Sequence, residues 1–259
     1  MDLNVISFNI RCRDDAAGHS VAERAPRLWG AVSAYRPDIL GLQEYTPFWE
    51  SEIDRYFSAE YDLFYRYRTH TGWIETAPIL WRRDRFACRF CGVFWLSDTP
   101  EVESRGWDRL DHNRICTYAI LEERAGGGAF CFMNTHLGFG DECQQKSVRL
   151  IAEYQKKLGD LPTVLTGDFN MTPAAPAYRE ITALMTDVNA ATARDNRPTY
   201  HGYAPEAHSD LHGEDHKNLL IDYCFVTAGA QPLAYRRIDT LFGGKYPSDH
   251  FGVFAVVRI

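Results

Sequence analysis

The chain has 259 residues, of which 45% are hydrophobic and 24% are charged, and its formal net charge is −7 at pH 7. These values are typical of a globular protein with a substantial core, and we expect one domain over residues 1–259. The acidic balance excludes a whole-molecule positive field for nucleic acid and leaves only a local basic patch open.

Short apolar runs rich in β-branched and aromatic residues dominate the chain and predict ten strands. In chain order, these strands cover residues 3–10, 38–43, 61–68, 77–82, 85–96, 115–122, 129–136, 162–167, 219–227 and 252–258. Helical patterns cover 21–35, 46–57, 142–158 and 174–184. Strands outnumber helices and do not alternate with them strictly, so the pattern favours two packed mixed sheets flanked by helices over a doubly wound parallel sheet.

The segments between these elements carry turn signals. Gly126-Gly127-Gly128 predicts a hairpin turn between two strands. Residues 201–218 are polar, His-rich and aperiodic, and we interpret them as a long solvated surface loop rather than a metal site. Cys88 and Cys91 form a C-x-x-C without a second pair, which we interpret as two buried thiols rather than a zinc or redox site.

No run of residues approaches the roughly 18 apolar residues of a membrane span, so we expect no stable membrane insertion. The N-terminus enters an apolar strand without a basic region or a cleavage site, which makes the cytoplasm the expected location. Nothing in the sequence indicates an obligate protein partner.

Polar or acidic residues recur where the predicted strands end. The segments concerned are Ser7-Phe8-Asn9, Leu42-Gln43-Glu44, Asn134-Thr135-His136, Gly167-Asp168-Phe169-Asn170, Asp222 within an apolar strand, and Ser248-Asp249-His250 before the last strand. One such residue is typical of a turn, but six in one chain indicate a site. Asp168 and Asn170 are two apart in an extended chain, so we expect them to project together. Asp222 requires a partner, either His250 or a cation.

As a set, these residues suit phosphate chemistry. Glu44 with Asp249 or Asp168 offers hard oxygen ligands of the kind that magnesium prefers. Further residues can donate hydrogen bonds to phosphate oxygens: Asn9, Asn170 and His136. An Asp222–His250 pair can orient a base or stabilise a charged transition state.

The same segments resemble the endonuclease/exonuclease/phosphatase superfamily, which includes pancreatic deoxyribonuclease, apurinic endonucleases, neutral sphingomyelinases and inositol polyphosphate 5-phosphatases. The matching motifs are FNIR at 8–11, GLQE at 41–44, NTHL at 134–137, GDFN at 167–170, IDY at 221–223 and SDH at 248–250. They occur in the family's order over nearly the whole chain. The resemblance implies an α/β (α+β) fold, a four-layer sandwich of two packed mixed, mainly antiparallel β-sheets flanked by helices, with the active site at the strand ends.

The resemblance also implies roles for these residues. Glu44 would ligate Mg²⁺ (or Mn²⁺) with Asn9 beside it, and Asp249 would support the metal or its waters. Asp168 would orient or deprotonate the attacking water. The scissile phosphate would be bound by Asn170 and His136. Asp222 would hold His250.

A narrower similarity, between residues 72 and 115, is to compact bacterial members of the superfamily. It implies that Glu75 is a partner for His136 and that Arg114 contacts substrate or phosphate. Thr199-Tyr200-His201-Gly202 matches a short motif of the same branch, which places His201 among the pocket residues.

We therefore expect a Mg²⁺- or Mn²⁺-dependent phosphoesterase, by preference a phosphodiesterase. Its substrate would be a phosphoester of a small molecule, a lipid headgroup, a sugar or a nucleic acid. A nuclease would use local basic residues: Arg11, Arg13, Arg82, Arg83 and Arg85. A non-catalytic protein that binds phosphorylated ligands is a third hypothesis, but the metal and base residues that such proteins lose are present here.

Overall fold

The computed structural model describes residues 1–204 and 219–259. The His-rich part of the predicted surface loop, and with it the interpretation of that loop as a solvated lid, lies outside the described residues. Within them, none of the helices is both long and apolar enough to cross a membrane.

The described residues form twelve strands and five α-helices. The strands are β1 Asp2–Asn9, β2 Ile39–Gln43, β3 Tyr61–Phe64, β4 Ile79–Arg82, β5 Phe86–Trp95, β6 Ile115–Glu123, β7 Ala129–His136, β8 Thr163–Asp168, β9 Thr186–Asp187, β10 Asp222–Val226, β11 Gln231–Ile238 and β12 Gly252–Arg258. The helices are α1 Val21–Ser33, α2 Glu50–Phe57, α3 Asp141–Lys157, α4 Pro176–Thr182 and α5 Val188–Ala191, and a short 3-10 helix, Pro47–Trp49, precedes α2.

The strands form two six-stranded sheets, in the orders β11-β12-β1-β2-β4-β3 and β5-β6-β7-β8-β10-β9. Each sheet contains one parallel pair, β1 with β2 and β7 with β8, and its other neighbouring strands are antiparallel. The sheets are therefore mixed and mainly antiparallel, as predicted.

Three apolar clusters separate four layers. The cluster between the sheets includes Val5, Ile39 and Phe132. A second cluster packs α3 and α4 on the β5–β9 sheet through residues such as Ile151. A third packs α1 and α2 on the other sheet through residues such as Leu28. Because each sheet buries both faces, its central strands are apolar throughout. This arrangement confirms the predicted two-sheet α/β sandwich.

A polar seam joins the two sheets beneath the strand ends. Asn134 of β7 donates from Nδ2 to the carbonyl oxygen of Leu42 at 2.7 Å, and its Oδ1 accepts from Gln43 Nε2 at 2.7 Å. Thr166 of β8 donates from Oγ1 to the same Asn134 oxygen at 3.1 Å. A Cβ on Gly41 would collide with both Thr166 and Asn134, so glycine is required for this close approach. These buried bonds fix the position of one sheet on the other.

Several local predictions need correction. The strand predicted over 61–68 ends at Phe64, and β11 was not predicted because Pro232 interrupts its pattern. Pro232 is tolerated because β11 is an edge strand with an irregularity between Pro232 and Ala234.

The cysteine prediction is also wrong. Cys88 and Cys91 are half-buried and joined as a disulfide rather than two buried thiols. The register of β5 on β6 shifts between Cys88 and Phe90, so the extra residue brings the two cysteines to one side of the strand. The other five cysteines are free and buried, as small apolar residues would be.

Candidate active site

The strand order explains why the predicted site residues meet. The parallel pairs β1/β2 and β7/β8 end at the same edge of the sandwich, where the antiparallel strands β10 and β12 begin. The register places His136 beside Asp168 on one side and Asp222 beside Asp168 on the other. The polar strand ends of the sequence therefore form one cluster.

Asp168 lies at the centre of this strand-end cluster and is 1% exposed. Its Oδ2 accepts a hydrogen bond from Asn9 Nδ2 at 2.9 Å. The same oxygen lies 3.6 Å from His136 Nε2 and 3.7 Å from His250 Nε2. Burial, and then the charge of Asp222, raise the pKa of Asp168 to about 7. A carboxylate with this pKa can accept a proton near neutral pH.

His250 is held by Asp222, which confirms that the buried Asp222 has a histidine partner. Asp222 Oδ2 lies 3.0 Å from His250 Nδ1, and both residues are buried. Burial acts to lower the pKa of His250, but Asp222, Asp168 and Asp249 outweigh it and raise the pKa to about 10. His250 is therefore an imidazolium at neutral pH, a fixed positive charge beside Asp168.

Asn9 connects Asp168 to Glu44. Its Nδ2 also donates to Glu44 Oε1 at 3.1 Å, while the backbone N–H of Cys12 donates to Glu44 Oε2 at 2.8 Å. Glu44 adopts a left-handed backbone with φ 61°, a strained conformation for a residue with a Cβ and one that concentrates at functional sites. Burial acts to raise the pKa of Glu44, but His136, Cys12 and Arg11 outweigh it and lower it to about 2.

The donor set suits a hard divalent cation. Each Glu44 oxygen accepts one hydrogen bond, which leaves a lone pair on each for a metal. Asp249, 6% exposed, lies 3.7 Å from Arg11 Nε and accepts from Ser248 Oγ at 3.1 Å. Carboxylates of this kind, with water completing the shell, are the ligands of Mg²⁺ and Mn²⁺. The residues present therefore fit the metal that the resemblance implies.

Asn170 is positioned differently from the prediction. Strand β8 ends at Asp168, and Asn170 has a left-handed backbone with φ 48°. Its N–H donates to Asp168 Oδ1 at 3.0 Å and its side chain donates to the Leu137 carbonyl at 2.9 Å. The Asp168 carboxylate therefore accepts from the Asn170 backbone in a tight turn, and the two residues are not related by strand alternation.

Glu75 is paired with Arg68 and not with His136, which corrects the predicted pairing. Arg68 Nη1 lies 2.8 Å from Glu75 Oε2, and Trp73 Nε1 donates to the other oxygen of Glu75. The His136 Nδ1 atom is buried without a hydrogen-bond partner among the described residues. Burial lowers the pKa of His136 well below its ordinary value, so this imidazole is neutral.

Arg114 is a buried arginine rather than a surface one. It is 4% exposed, and its Nε donates to Asp108 Oδ2 at 2.8 Å. Together with Arg68 it lines a cavity of about 10 Å³ next to His136. The seven lining residues are Arg68, Glu75, Thr76, Ala77, Arg114, Ile115 and His136. We call this cavity the arginine pocket.

Arg68 was not among the site residues predicted from the sequence. The only signal was weak: Tyr65, Tyr67 and Thr69 alternate with Arg66 and Arg68, which indicates a structured segment.

His201 packs beside the segment that carries the cluster residues Asp249 and His250. Its ring packs against Phe251 and Tyr246, with centroids 4.1 Å and 4.8 Å away, and its Nδ1 accepts from the Tyr203 N–H at 3.2 Å. Its backbone N–H donates to the carbonyl oxygen of Asp249. In the structure it supports the segment that carries Asp249 and His250.

Most of the basic residues considered for nucleic acid form ion pairs with carboxylates. The partners are Asp15 for Arg11, Asp84 for Arg82, Asp62 for Arg83, and Asp38 and Glu123 for Arg85. Their charge is therefore partly neutralised within the protein.

Comparisons with known proteins agree with this site. The chain matches the sequence profile of the Endonuclease/Exonuclease/phosphatase family over residues 6–250. An endonuclease/exonuclease/phosphatase family protein of Bacteroides thetaiotaomicron shares the fold with a TM-score of 0.87 and 27% identity, over 99% of this chain and 97% of that one. A mannosyl-6-phosphatase of the same organism gives a TM-score of 0.83 and 27% identity, over 99% and 100% of the two chains.

Among curated proteins, the chain is 28% identical over 185 residues to Carbon catabolite repressor protein 4 homolog 3 of Arabidopsis thaliana. The match covers 63% of this chain and only 37% of the plant protein, so the chain spans well under half of that relative. The profile match, the shared fold and the strand-end cluster lead to one conclusion: the chain belongs to the endonuclease/exonuclease/phosphatase family, whose members hydrolyse phosphoester bonds.

Proposed function

We propose that the protein is a Mg²⁺- or Mn²⁺-dependent phosphoesterase that hydrolyses its substrate by in-line attack of water. The observation that carries this proposal is the geometry around Asp168. One buried carboxylate oxygen faces an amide donor and two histidines within 3.7 Å. This arrangement suits a base that activates water beside groups able to bind a phosphate.

Asp168 orients the attacking water and accepts its proton. Asn9 fixes the Asp168 carboxylate, because its Nδ2 donates to Asp168 Oδ2 and to Glu44 Oε1 together. The raised pKa of Asp168, caused first by burial, increases its strength as a base.

The histidines bind the phosphate and respond to the charge that develops on it. His250 carries a positive charge held by Asp222, and it favours the transition state more than the ground state. His136 is neutral and contributes a hydrogen bond. A divalent metal bound at Glu44, with Asp249 nearby, would supply Lewis-acid stabilisation of the phosphate oxygens.

Several features favour a small phosphorylated substrate. The net charge of −7 and the paired arginines offer little attraction to a polyanion. The mannosyl-6-phosphatase, by its name, acts on a sugar phosphate, and its structure matches this chain over its whole length. Trp73 is 41% exposed beside the buried Glu75 and offers a flat apolar surface of the kind on which sugars stack.

The test is hydrolysis of a panel of sugar phosphates, nucleotides, lipid headgroup phosphates, DNA and RNA, with and without divalent metal. We expect EDTA to abolish hydrolysis and added Mg²⁺ or Mn²⁺ to restore it. Full activity in EDTA would contradict the proposal. A steep loss of binding with salt, found only for DNA or RNA, would point instead to a nuclease.

A further inference from the structure

We propose that the arginine pocket binds one terminal phosphate oxygen and selects phosphate monoesters over diesters, with Arg68 as a specificity-determining residue. This inference rests on the proposed phosphoesterase function and names the ester class on which it acts.

The pocket is small, partly open to solvent, and lined mostly by buried residues. Six of its seven lining residues are buried, at 2–7% exposure, and only the His136 side chain, at 13%, is in partial contact with solvent. A volume of about 10 Å³ holds one water molecule or one oxygen atom.

The lining presents hydrogen-bond donors without partners. Buried nitrogens on three lining residues lack a partner among the described residues: Arg68 Nε, Arg114 Nη1 and His136 Nδ1. Two of these belong to guanidinium groups, which donate and cannot accept. An occupant that accepts several hydrogen bonds at once, such as a phosphate oxygen, satisfies them.

Ion pairs hold both guanidinium groups in place before any ligand binds. Arg68 is fixed by Glu75 at 2.8 Å, and Arg114 by Asp108 at 2.8 Å. These acids use one nitrogen of each arginine and leave other N–H groups free to donate. The charged groups facing the pocket are therefore two guanidiniums and the Glu75 carboxylate, with the neutral His136 at the mouth.

The pocket lies next to the reacting groups. His136 borders it and places Nε2 3.6 Å from Asp168 Oδ2. Ligand atoms of Glu75 and Glu44 lie within 4.8 Å of each other. A phosphate bound between Asp168 and Glu44 can therefore reach the pocket with one of its oxygens.

Monoesters and diesters differ in charge and in the number of terminal oxygens. A monoester dianion can place one oxygen in the pocket and keep two for Asn170 and His250. A diester has two terminal oxygens and one negative charge, so it loses one contact and part of the attraction to the two arginines. Its second ester group must also occupy a position that the monoester fills with a bare oxygen.

The experiment compares p-nitrophenyl phosphate with bis(p-nitrophenyl) phosphate, which share a leaving group, in Mg²⁺ or Mn²⁺. We expect kcat/KM at least about tenfold higher for the monoester in the wild-type protein. Arg68→Met should lower the monoester value about 10- to 100-fold and the diester value less than about threefold. Arg66→Met, an exposed residue two positions away, should change neither. An equal loss on both substrates, or no loss, would overturn the inference.

A binding measurement keeps the inference separate from catalysis and from folding. Calorimetric titration should show inorganic phosphate binding more tightly than dimethyl phosphate. Arg68→Lys, which keeps the charge, should weaken phosphate binding about fivefold or more and leave dimethyl phosphate unchanged. Equal binding of the two anions would overturn the inference that the arginine pocket selects phosphate monoesters. Selective phosphate binding by a protein that hydrolyses neither ester would instead contradict only the proposed reaction.

Discussion

The strand-end cluster and the arginine pocket share His136 but are built in different ways. In the cluster, backbone pairing positions Asp168 beside Asp222 and His136. In the pocket, Arg68 and Glu75 come from the segment between β3 and β4, and side-chain ion pairs position them. The paired strands therefore position the reacting groups, whereas a connecting segment positions the residues that we propose select the substrate.

The largest expected effect is a test of the cluster. Asp168→Asn removes the base but keeps the size of the side chain, so kcat should fall about 10³- to 10⁴-fold for every substrate that the wild type hydrolyses. Steady-state kinetics measures this, and Asp160→Asn, at an exposed position, is the matched control. A loss of kcat confined to one substrate would contradict the assignment of Asp168 to the reaction itself rather than to the choice of substrate.

Asp222→Asn should also lower kcat for every substrate, but by a smaller factor than Asp168→Asn. Without the Asp222 charge, the pKa of His250 falls and less imidazolium is available, so kcat should drop about 100-fold with little change in KM. Proton NMR of the His250 ring would report the change in protonation. Asp54→Asn, at an exposed site, serves as control. An unchanged kcat would contradict the proposal that protonated His250 stabilises the transition state.

Arg114→Met tests the pocket side. Because Arg114 contacts the ligand oxygen rather than the water, we expect kcat/KM for a monoester to fall about 10- to 30-fold, with KM rising more than kcat falls. Arg105→Met, an exposed arginine, should have no effect. A fall in kcat alone would assign Arg114 to the chemical step. It would contradict the assignment of substrate binding to the arginine pocket and of the reaction to the strand-end cluster.

His201→Phe should have the smallest effect. The ring already packs against Phe251 and Tyr246, and phenylalanine keeps those contacts. The variant loses the Tyr203 hydrogen bond, about 1 kcal/mol of unfolding free energy by chemical denaturation, and should keep kcat/KM within about threefold. A larger kinetic loss would return His201 to the substrate-binding residues.

The sequence predicts the cluster better than the pocket for a physical reason. Asn9, Glu44 and Asp168 follow apolar runs, so their place at strand ends can be read locally, and only the order of the strands must be added. Arg68 does not follow an apolar run, so the sequence around it does not indicate its position in the fold. It is buried because distant side chains cover its segment: Trp95 Nε1 and Asn113 Nδ2 both donate to the Arg68 carbonyl.

The same limit applies to the fold. Strands with unbroken apolar or alternating patterns were predicted, whereas β11 depends on pairing with β12 to become a strand. The Cys88–Cys91 disulfide depends on an irregularity of β5 that neither residue type indicates. Asn170 was predicted near Asp168, but its turn could be known only from the residue at which β8 ends.

The polar seam between the sheets has a consequence for how activity can be used. Residues 1–82 supply Asn9 and Glu44, while residues 115–226 supply His136, Asp168 and Asp222. Neither part alone contains a complete site, and Asn134 with Gln43 sets how the two come together. If the chain were divided in the turn between β4 and β5, each fragment would be inert. Because β11 and β12 would stay with the second fragment, restored hydrolysis on mixing would report that β1 had paired with β12 again and that the two sheets had docked in their native register.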